Sequence, residues 1–270
     1  MINIEDLKAK LPTIAHRGVG SGYYIEGLAT FPRVTSIVAY LASPTGLTKW
    51  RTKLINEQLK AAFDKDKTYA GDQALQAAQN AMGYPEDYAL QAAEFGTICH
   101  KWLEDYLTTG SLPPVPEYKG TYADMTKSIQ SIKTFIFKWN LSQPNITPIK
   151  CEAFLYSKKF QYAGNTDFIV VKGNDLFIMD WKFANSSLSY TCVKYGAQVA
   201  AYAKAVEELT GVKVNKCFIV RFKKDGDMPE VFKMDETAIE QSWVNFKCAL
   251  MAYRADNKLP FINFFGPEFQ

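Results

Sequence analysis

Cysteine is sparse in this sequence and lacks the spacings that cysteine chemistry requires. The five cysteines lie far apart, and no C-x-x-C pair occurs among them. Zinc ribbons and disulfide frameworks need cysteines at characteristic spacings, so we expect neither of them here. Because nothing indicates disulfides, we expect the chain in a reducing intracellular compartment.

Long apolar runs and a strong net charge are also lacking. No apolar stretch reaches the roughly 20 residues that cross a bilayer, and the polar segment Met1–Lys10 does not resemble a secretory signal. We therefore expect a cytoplasmic protein with no membrane partner. The net charge is only +3, which permits nucleic-acid binding along a local groove but does not argue for it.

What the chain does contain is the composition of a globular protein, 47% hydrophobic and 22% charged. Its length suits one large domain, or a core domain with a helical extension. Residues 1–33 are predicted to be irregular, and Val34 to about Leu107 to be helical. Gly83-Tyr-Pro85 is predicted to interrupt the helices. We therefore predict a helical N-terminal extension over residues 1–84, which could arch over an active site, and a core over residues 85–270.

The second half of the chain changes from helical to strand patterns. An extended connector is predicted at Ser111–Pro116. The further predicted elements are a helix over about 121–140, strands at Ile149–Ser157, Gln161–Lys172 and Asp175–Phe183, a helix over 190–210, strands at Lys216–Lys223 and Glu230–Met234, and a closing helix at Glu236–Arg254. We expect the aromatic tail at residues 261–267 to dock on the body.

The most informative stretch is the predicted hairpin around Gly173-Asn174, a favoured two-residue loop between two apolar strands. If this loop closes the hairpin, Asp167 lies opposite Asp180, with about 5 Å between the two Cβ atoms. Lys182 shares a face with Asp180, because strand side chains alternate with a period of two. Two carboxylates and an ammonium group are thus predicted to converge in a mostly buried sheet.

Such a convergence needs a physical reason. Buried charges cost several kcal/mol each unless they are paired or bind a metal ion, and neighbouring carboxylates repel each other. Mg²⁺ removes this repulsion, since it binds one or two carboxylates together with substrate phosphate oxygens. The alternative is an ordinary hairpin with an Asp–Lys pair at its exposed end. The matched Asp167 and the apolar flanks favour the metal site.

Four further polar residues are candidates for the same site. Glu152, in the first strand, would add a third carboxylate, or would be a partly exposed strand residue. His100, on a helix whose small Gly96 is expected to allow a close contact, is by itself more typical of a structural histidine than of a ligand. Gln198 and Tyr202 lie four residues apart and therefore on one side of a helix, where each could equally be part of an amphipathic boundary.

Taken together, these residues resemble the RecB-type PD-(D/E)XK nucleases, which include the Cas4 nucleases. The residues in order are His100, Glu152, Gly164-x-x-Asp167, Asp180-x-Lys182 and Gln198-x-x-x-Tyr202. The order of helices and strands is similar to the αβββαβ core of that superfamily. We therefore expect an α/β (α+β) fold with a restriction-endonuclease-like core.

A finer resemblance involves the N-terminal half. The segments Phe31–Ile37 (FPRVTSI) and Gly96–Leu107 (GTICHKWLEDYL) look like the mitochondrial genome maintenance exonuclease and its phage relatives, which act on single-stranded DNA ends. This resemblance implies DNA as the partner, with replication or recombination proteins as further candidates. A phage-encoded protein in a bacterial host is compatible with it.

The resemblance also implies roles for the central residues. Asp167 and Asp180 would bind Mg²⁺ or Mn²⁺, with His100 as a ligand or neighbour and the backbone carbonyl of Trp181 completing the site. Lys182 would orient or deprotonate the attacking water, or stabilise the charge that develops on the phosphate.

The resemblance also implies roles in catalysis and positioning. Glu152 is carried over as a further catalytic carboxylate. Gln198 and Tyr202 would position the scissile strand or Lys182. Binding of single-stranded DNA also needs a basic track, for which Arg33 and Arg51 are candidates, although most such charges only solvate helix faces. The scattered cysteines show no set for an iron–sulfur cluster, so none is expected.

The predicted activity is that of a metal-dependent exonuclease that threads single-stranded DNA ends. One alternative is a structure- or sequence-specific endonuclease of the same superfamily. A second alternative is a non-catalytic DNA-binding recombination protein, against which the intact carboxylates and lysine argue.

Overall fold

The computed structural model describes residues 2–13, 17–20, 22–42, 44–63, 71–139, 145–184, 188–260 and 262. The helices are α1 (Ile4–Lys10), α2 (Val34–Val38), α3 (Pro44–Ala62), α4 (Gly71–Thr109), α5 (Met125–Trp139), α6 (Leu188–Thr210) and α7 (Glu236–Asp256). The strands are β1 (Arg17–Val19), β2 (Gly22–Tyr24), β3 (Thr30–Pro32), β4 (Ile146–Ser157), β5 (Tyr162–Lys172), β6 (Asp175–Phe183), β7 (Lys216–Phe222) and β8 (Glu230–Met234).

A five-stranded mixed sheet forms the centre, in the order β4-β5-β6-β7-β8. Strands β4, β5 and β6 are consecutive and antiparallel, whereas β6 and β7 are parallel. A parallel pair needs a long crossover connection, which here includes α6. The apolar runs in β5, β6 and β7 follow from burial of both faces of the sheet. The predicted αβββαβ order is confirmed.

Two hydrophobic layers cover the sheet. On one face α1, α2, α6 and α7 pack against side chains that include Ile169 and Ile178. On the other face α4 and α5 pack against side chains that include Phe168 and Met179. Adjacent strand residues alternate between these layers, as a period of two requires. The layer that contains α6 and the layer that contains α4 are therefore separated by the sheet over most of its area.

The predicted hairpin is confirmed, and so is its register as far as Phe168 and Met179; the predicted pair of Asp167 and Asp180 lies one position beyond the last observed pair. Lys172 pairs with Asp175, and the pairing continues outward to Phe168 and Met179. Gly173 has a φ of 64°, which suits glycine at the first central position of a type II′ turn. The predicted strands and the helices that follow them differ from the observed ones by a few residues at their ends.

The predicted break at Gly83–Pro85 is wrong, because α4 runs without interruption from Gly71 to Thr109. A proline inside a helix costs about 3 kcal/mol, since it removes one hydrogen bond to the carbonyl four residues earlier. That earlier residue is Ala81, and both Ala81 and Pro85 are buried. The free energy gained by packing these two residues outweighs the cost of the lost hydrogen bond. The domain division at residue 84 stays a prediction, and the helix crosses it.

The prediction of an irregular segment over residues 1–33 is also wrong. Helix α1 is capped by the Asn3 side chain and buries Leu7 in the central core. Strands β1 to β3 form a small antiparallel sheet, which contacts β5 through a bridge between Arg33 and Ala163. The predicted docking of the tail lies outside the described residues, apart from Ile262. Among the described helices, none carries an apolar stretch long enough to cross a membrane.

Candidate active site

The central carboxylates lie where the β5–β6 hairpin stops pairing. Asp167 and Asp180 follow directly after the last paired residues of that hairpin. The Trp181 backbone N–H donates to Asp167 Oδ2 across the gap, with 2.5 Å between the two atoms. The Trp181 side chain is buried in the layer of α4 and α5. Both carboxylates therefore lie within their strands, at the point where β5 and β6 separate.

The alternation of side chains changes at this point. Cys151 and Ala153 would share one face in a regular strand, but Cys151 packs in the layer of α4 and Ala153 in the layer of α6. Between them, Glu152 has a φ of 44°, a left-handed conformation that is uncommon for residues other than glycine. Such strained residues cluster at functional sites. The irregularity turns Glu152 toward the carboxylates of the hairpin.

Because the alternation changes, helices of both layers reach the same carboxylates. From α4, His100 Nδ1 lies 3.4 Å from Asp167 Oδ1 and 3.9 Å from Glu152 Oε1. Each of these three residues offers one potential metal-ligand atom, and the three atoms lie within 4.8 Å of one another. From α6, Gln198 Nε2 donates to Asp180 Oδ1 at 3.2 Å. The site thus joins both layers of the fold.

The three carboxylates and the histidine at this site have pKa values that differ from their ordinary values. Burial, and then the charge of Asp167, raise the pKa of Glu152 to about 8. Burial likewise raises the pKa of Asp167 and of Asp180 to about 6, against the opposing effect of Lys182. Burial, followed by the charge of Lys182, lowers the pKa of His100 to about 4. At neutral pH the imidazole is therefore uncharged and able to bind a metal ion.

Lys182 forms an ion pair with Asp180, joining its Nζ to the carboxylate Oδ2. Burial opposes the charge on the lysine, but Asp180 and Asp167 outweigh it and raise the pKa of Lys182. The ring of Tyr195 lies beside this ammonium, with 5.1 Å from Nζ to the ring centroid. Sequence reasoning did not assign Tyr195 to the site. Its position three residues before Gln198 on α6 was the available signal.

Gln198 and Tyr202 form the buried support of Asp180. Gln198 Nε2 also donates to Tyr202 Oη, at 3.2 Å, and Tyr202 is 1% exposed. Gly164 leaves space for the Tyr202 ring, because a Cβ at Gly164 would lie 2.9 Å from Tyr202 Cε1. The glycine of the Gly164-x-x-Asp167 motif therefore has a packing role that sequence reasoning did not identify.

The two predicted DNA-contact arginines lie away from these carboxylates. Arg33 stacks on the Tyr23 ring at 4.9 Å, and its buried Nε has no hydrogen-bond partner within the described part of the chain. Arg51 is half-exposed and pairs with Glu86 at 2.5 Å, joining α3 to α4. The charge of Arg51 is thus already matched by a carboxylate.

A divalent cation fits the central group of residues. Carboxylate oxygens and a neutral imidazole are ligands that Mg²⁺, Mn²⁺ and related ions accept. Two positive charges would offset the repulsion that raises the pKa of Glu152. The charge and the donor set of the site are therefore both those of a metal centre, with a lysine beside it.

A mixed sheet with carboxylates and a lysine at its central hairpin is consistent with a nuclease of the class expected from the sequence. The chain belongs to the PD-(D/E)XK nuclease superfamily, whose family model matches residues 75–257, more than half of the sequence. The predicted recognition of that superfamily is confirmed, and the chain is a nuclease of it.

A curated relative matches a shorter region. One subunit of the ATP-dependent helicase/nuclease of Carboxydothermus hydrogenoformans is 34% identical over 71 residues, which cover 25% of this chain. The match spans only 6% of that relative's length.

Solved structures that the chain matches include the alkaline exonuclease LHK-Exo of Laribacter hongkongensis. It has 10% identity and a TM-score of 0.26, covering 78% of this chain and 98% of that chain. LHK-Exo in complex with dAMP has 13% identity and a TM-score of 0.29, covering 58% of this chain and 78% of that chain. With TM-scores this low, the two matches carry no argument about fold or function. The finer resemblance to the mitochondrial exonuclease stays a prediction.

Proposed function

We propose that this protein is a Mg²⁺- or Mn²⁺-dependent exonuclease that hydrolyses phosphodiester bonds from single-stranded DNA ends, in replication, recombination or repair. The observation that carries the proposal is the meeting of His100, Glu152 and Asp167, with ligand atoms within 4.8 Å of one another, beside the Asp180–Lys182 pair. Family membership supplies the reaction class. The single-stranded substrate rests on the finer resemblance.

Each central residue has a role in this reaction. His100, Glu152, Asp167 and Asp180 would hold the cation, together with the Trp181 backbone carbonyl. When bound, a divalent cation supplies Lewis acidity and lowers the pKa of water in the site. The water oxygen forms a bond to phosphorus as the bond to the leaving oxygen breaks.

Lys182 acts on both the attacking water and the phosphate. Its ammonium is held beside Asp180, where it orients the water and stabilises the negative charge that builds on the phosphate oxygens. Gln198 and Tyr202 keep Asp180 in place through the hydrogen bonds between the three side chains. They act as positioning residues in this proposal.

Arg33 is the stronger of the two proposed DNA contacts. Its guanidinium has no ion-pair partner within the described part of the chain, and it stacks on Tyr23. A phosphate would supply the missing counter-charge. Arg51 is already paired with Glu86, so binding a phosphate would require it to break or weaken that ion pair. We therefore expect Arg51 to contribute less to DNA affinity than Arg33.

The test is digestion of end-labelled linear and circular single-stranded and duplex DNA with Mg²⁺ or Mn²⁺. The expected result is loss of mononucleotides or short products from linear single strands, with circular strands resistant. Asp180→Asn is the control and should abolish cleavage while nucleic-acid binding persists. Equal cutting of circular and linear strands would refute the exonuclease proposal in favour of an endonuclease. Full cleavage by Asp180→Asn would refute the assigned site.

A further inference from the structure

Lys224 is a partly buried lysine for which the described part of the chain provides no carboxylate partner. Its Nζ donates to Tyr88 Oη at 3.0 Å and to the Tyr122 carbonyl oxygen at 2.7 Å. It also lies 3.4 Å from the centroid of the Tyr122 ring. Burial lowers the pKa of Lys224 to about 8. An ammonium group held this way, between aromatic rings and without a counter-ion, is suited to binding an anion.

A cavity of about 560 Å³ opens beside Lys224. Arg221, Lys223 and Asp225 contribute to its lining, together with Tyr122 and Lys224. Arg221 already pairs with Glu230 at 2.7 Å, and Lys223 lies 3.6 Å from the exposed carboxylate of Asp227. Lys224 is therefore the cation of this cavity whose charge is not offset by a described carboxylate. The volume is ample for a phosphate group.

The cavity lies at the same end of the sheet as the candidate active site. Arg221 and Lys182 are paired on the neighbouring parallel strands β7 and β6, which are about 4.8 Å apart in a sheet. Arg221 Nη1 also donates to the Ala184 carbonyl, just beyond β6, at 3.0 Å. The cavity and the candidate active site are therefore neighbours at one end of the sheet.

Aromatic rings continue from the cavity along the N-terminal helices. Tyr122 contacts Tyr88 with 5.0 Å between ring centroids. Tyr88 in turn contacts Tyr84 at 5.9 Å and Trp50 of α3 at 6.1 Å. Tyr84, Tyr88 and Trp50 are all partly exposed. Partly exposed aromatic rings beside a cationic groove are the features that bind single-stranded nucleic acid without sequence preference.

We propose that Lys224, Tyr88 and Tyr122 form a second nucleotide subsite, which binds a backbone phosphate next to the scissile one and directs the neighbouring bases onto Tyr84 and Trp50. We call these five residues the Lys224 subsite. The inference rests on the proposed function, because it assumes a nucleic-acid substrate. It adds the path of the strand away from the metal centre, toward α3 and the first half of α4.

The test measures binding of a fluorescent single-stranded oligonucleotide without divalent cations, over a range of salt concentrations. Each phosphate contact contributes about 0.7 to the slope of log affinity against log salt for single strands. We expect Lys224→Gln to reduce the slope by about that amount and to weaken binding about tenfold at low salt. Lys224→Arg should restore both quantities, since it keeps the charge.

The matched control is Lys216→Gln at the opposite end of β7. Lys216 Nζ also lies 5.1 Å from an aromatic ring, that of Phe177, but it pairs with Asp175 at 3.0 Å. Lys216→Gln should leave oligonucleotide binding unchanged. Tyr88→Phe, which removes only the hydroxyl group, should weaken binding less than Tyr88→Leu, which also removes the ring.

The kinetic counterpart compares a long single strand with a minimal phosphodiester, thymidine 5′-(4-nitrophenyl phosphate). Lys224→Gln should raise KM for the strand and leave hydrolysis of the minimal compound unchanged. An unchanged salt slope in Lys224→Gln would overturn the inference, as would equal losses in Lys224→Gln and Lys216→Gln. If the wild-type protein neither binds nor cleaves nucleic acid, the proposed function itself fails, which is a separate outcome.

Discussion

Replacing Gly164 with alanine tests whether the support of Asp180 is as tightly packed as the structure indicates. The added Cβ would lie 2.9 Å from Tyr202 Cε1 and 3.3 Å from Val34 Cβ. Tyr202 is 1% exposed, so its ring has no solvent to move into. Over-packing of this kind costs about 1–3 kcal/mol of unfolding free energy.

The same substitution should also lower activity. Displacing Tyr202 moves Gln198, and Gln198 then no longer holds Asp180 at 3.2 Å. Since a misplacement of about 1 Å can cost about 100-fold in rate, we expect kcat to fall at least ~10-fold. KM should change little, because Gly164 is buried away from the substrate.

Gly96→Ala is the matched control in α4, four residues before His100. A Cβ at Gly96 would meet no atom within 4 Å among the described residues, so the expectation that Gly96 allows a close helix contact is wrong. Alanine should stabilise the helix by about 0.8–1 kcal/mol. Urea unfolding and steady-state kinetics measure both variants. A stable, fully active Gly164→Ala protein would refute the packing argument.

The remaining predictions concern charge. Lys182→Ala should abolish cleavage while oligonucleotide binding, measured by anisotropy, stays within a few-fold of the wild type; retained cleavage would contradict its role. Adding Mg²⁺ or Mn²⁺ should raise the melting temperature in proportion to the logarithm of its concentration, and Asp167→Asn should largely remove this rise. Between pH 6.5 and 8 the metal-free protein should lose stability, because the unfolded chain ionises Glu152 from about pH 4.5 whereas the folded chain holds its proton to about pH 8. In the folded chain His100, Asp167 and Asp180 titrate mostly below that window, but His100 of the unfolded chain titrates near pH 6.5 and makes stability rise at its lower edge. The fall should therefore be clearest above about pH 7, where Glu152→Gln should flatten urea-unfolding stability.

The hairpin could be predicted because every local signal agreed. Gly173 at the turn, apolar runs on both sides and a period of two fix which residues face each other. With that register, the position of Asp167 and Asp180 one step beyond the pair of Phe168 and Met179 followed from the sequence. The order of strands and helices in the core was accessible for the same reason.

The nearness of Glu152 to the hairpin carboxylates was one of two expectations from the sequence, but its backbone conformation could not be predicted in this way. A regular strand would place Cys151 and Ala153 on one face, and the left-handed conformation between them departs from that pattern. Nothing in the side chain of glutamate favours that conformation. The surrounding structure imposes it, so it becomes visible only when the neighbouring strands are in place.

Two other differences arise from packing across long sequence distances. Pro85 is a strong local signal for a break, and burial within α4 outweighs it. Lys224 reads in sequence as a solvated lysine after a strand, because its partners Tyr88 and Tyr122 are distant in the chain. Local sequence preference does not predict the helical conformation at Pro85 or the environment of Lys224, because tertiary contacts determine both.

The continuity of α4 fixes the distance between two parts of the proposed substrate path. One rigid helix carries both Tyr88 and His100, about 18 Å apart along its axis at about 1.5 Å per residue. In the proposed path, this fixed distance along α4 determines how much of the strand lies between the aromatic rings and the cation. Adding or removing a single residue between these two positions would change the length and also rotate one end by about 100° relative to the other.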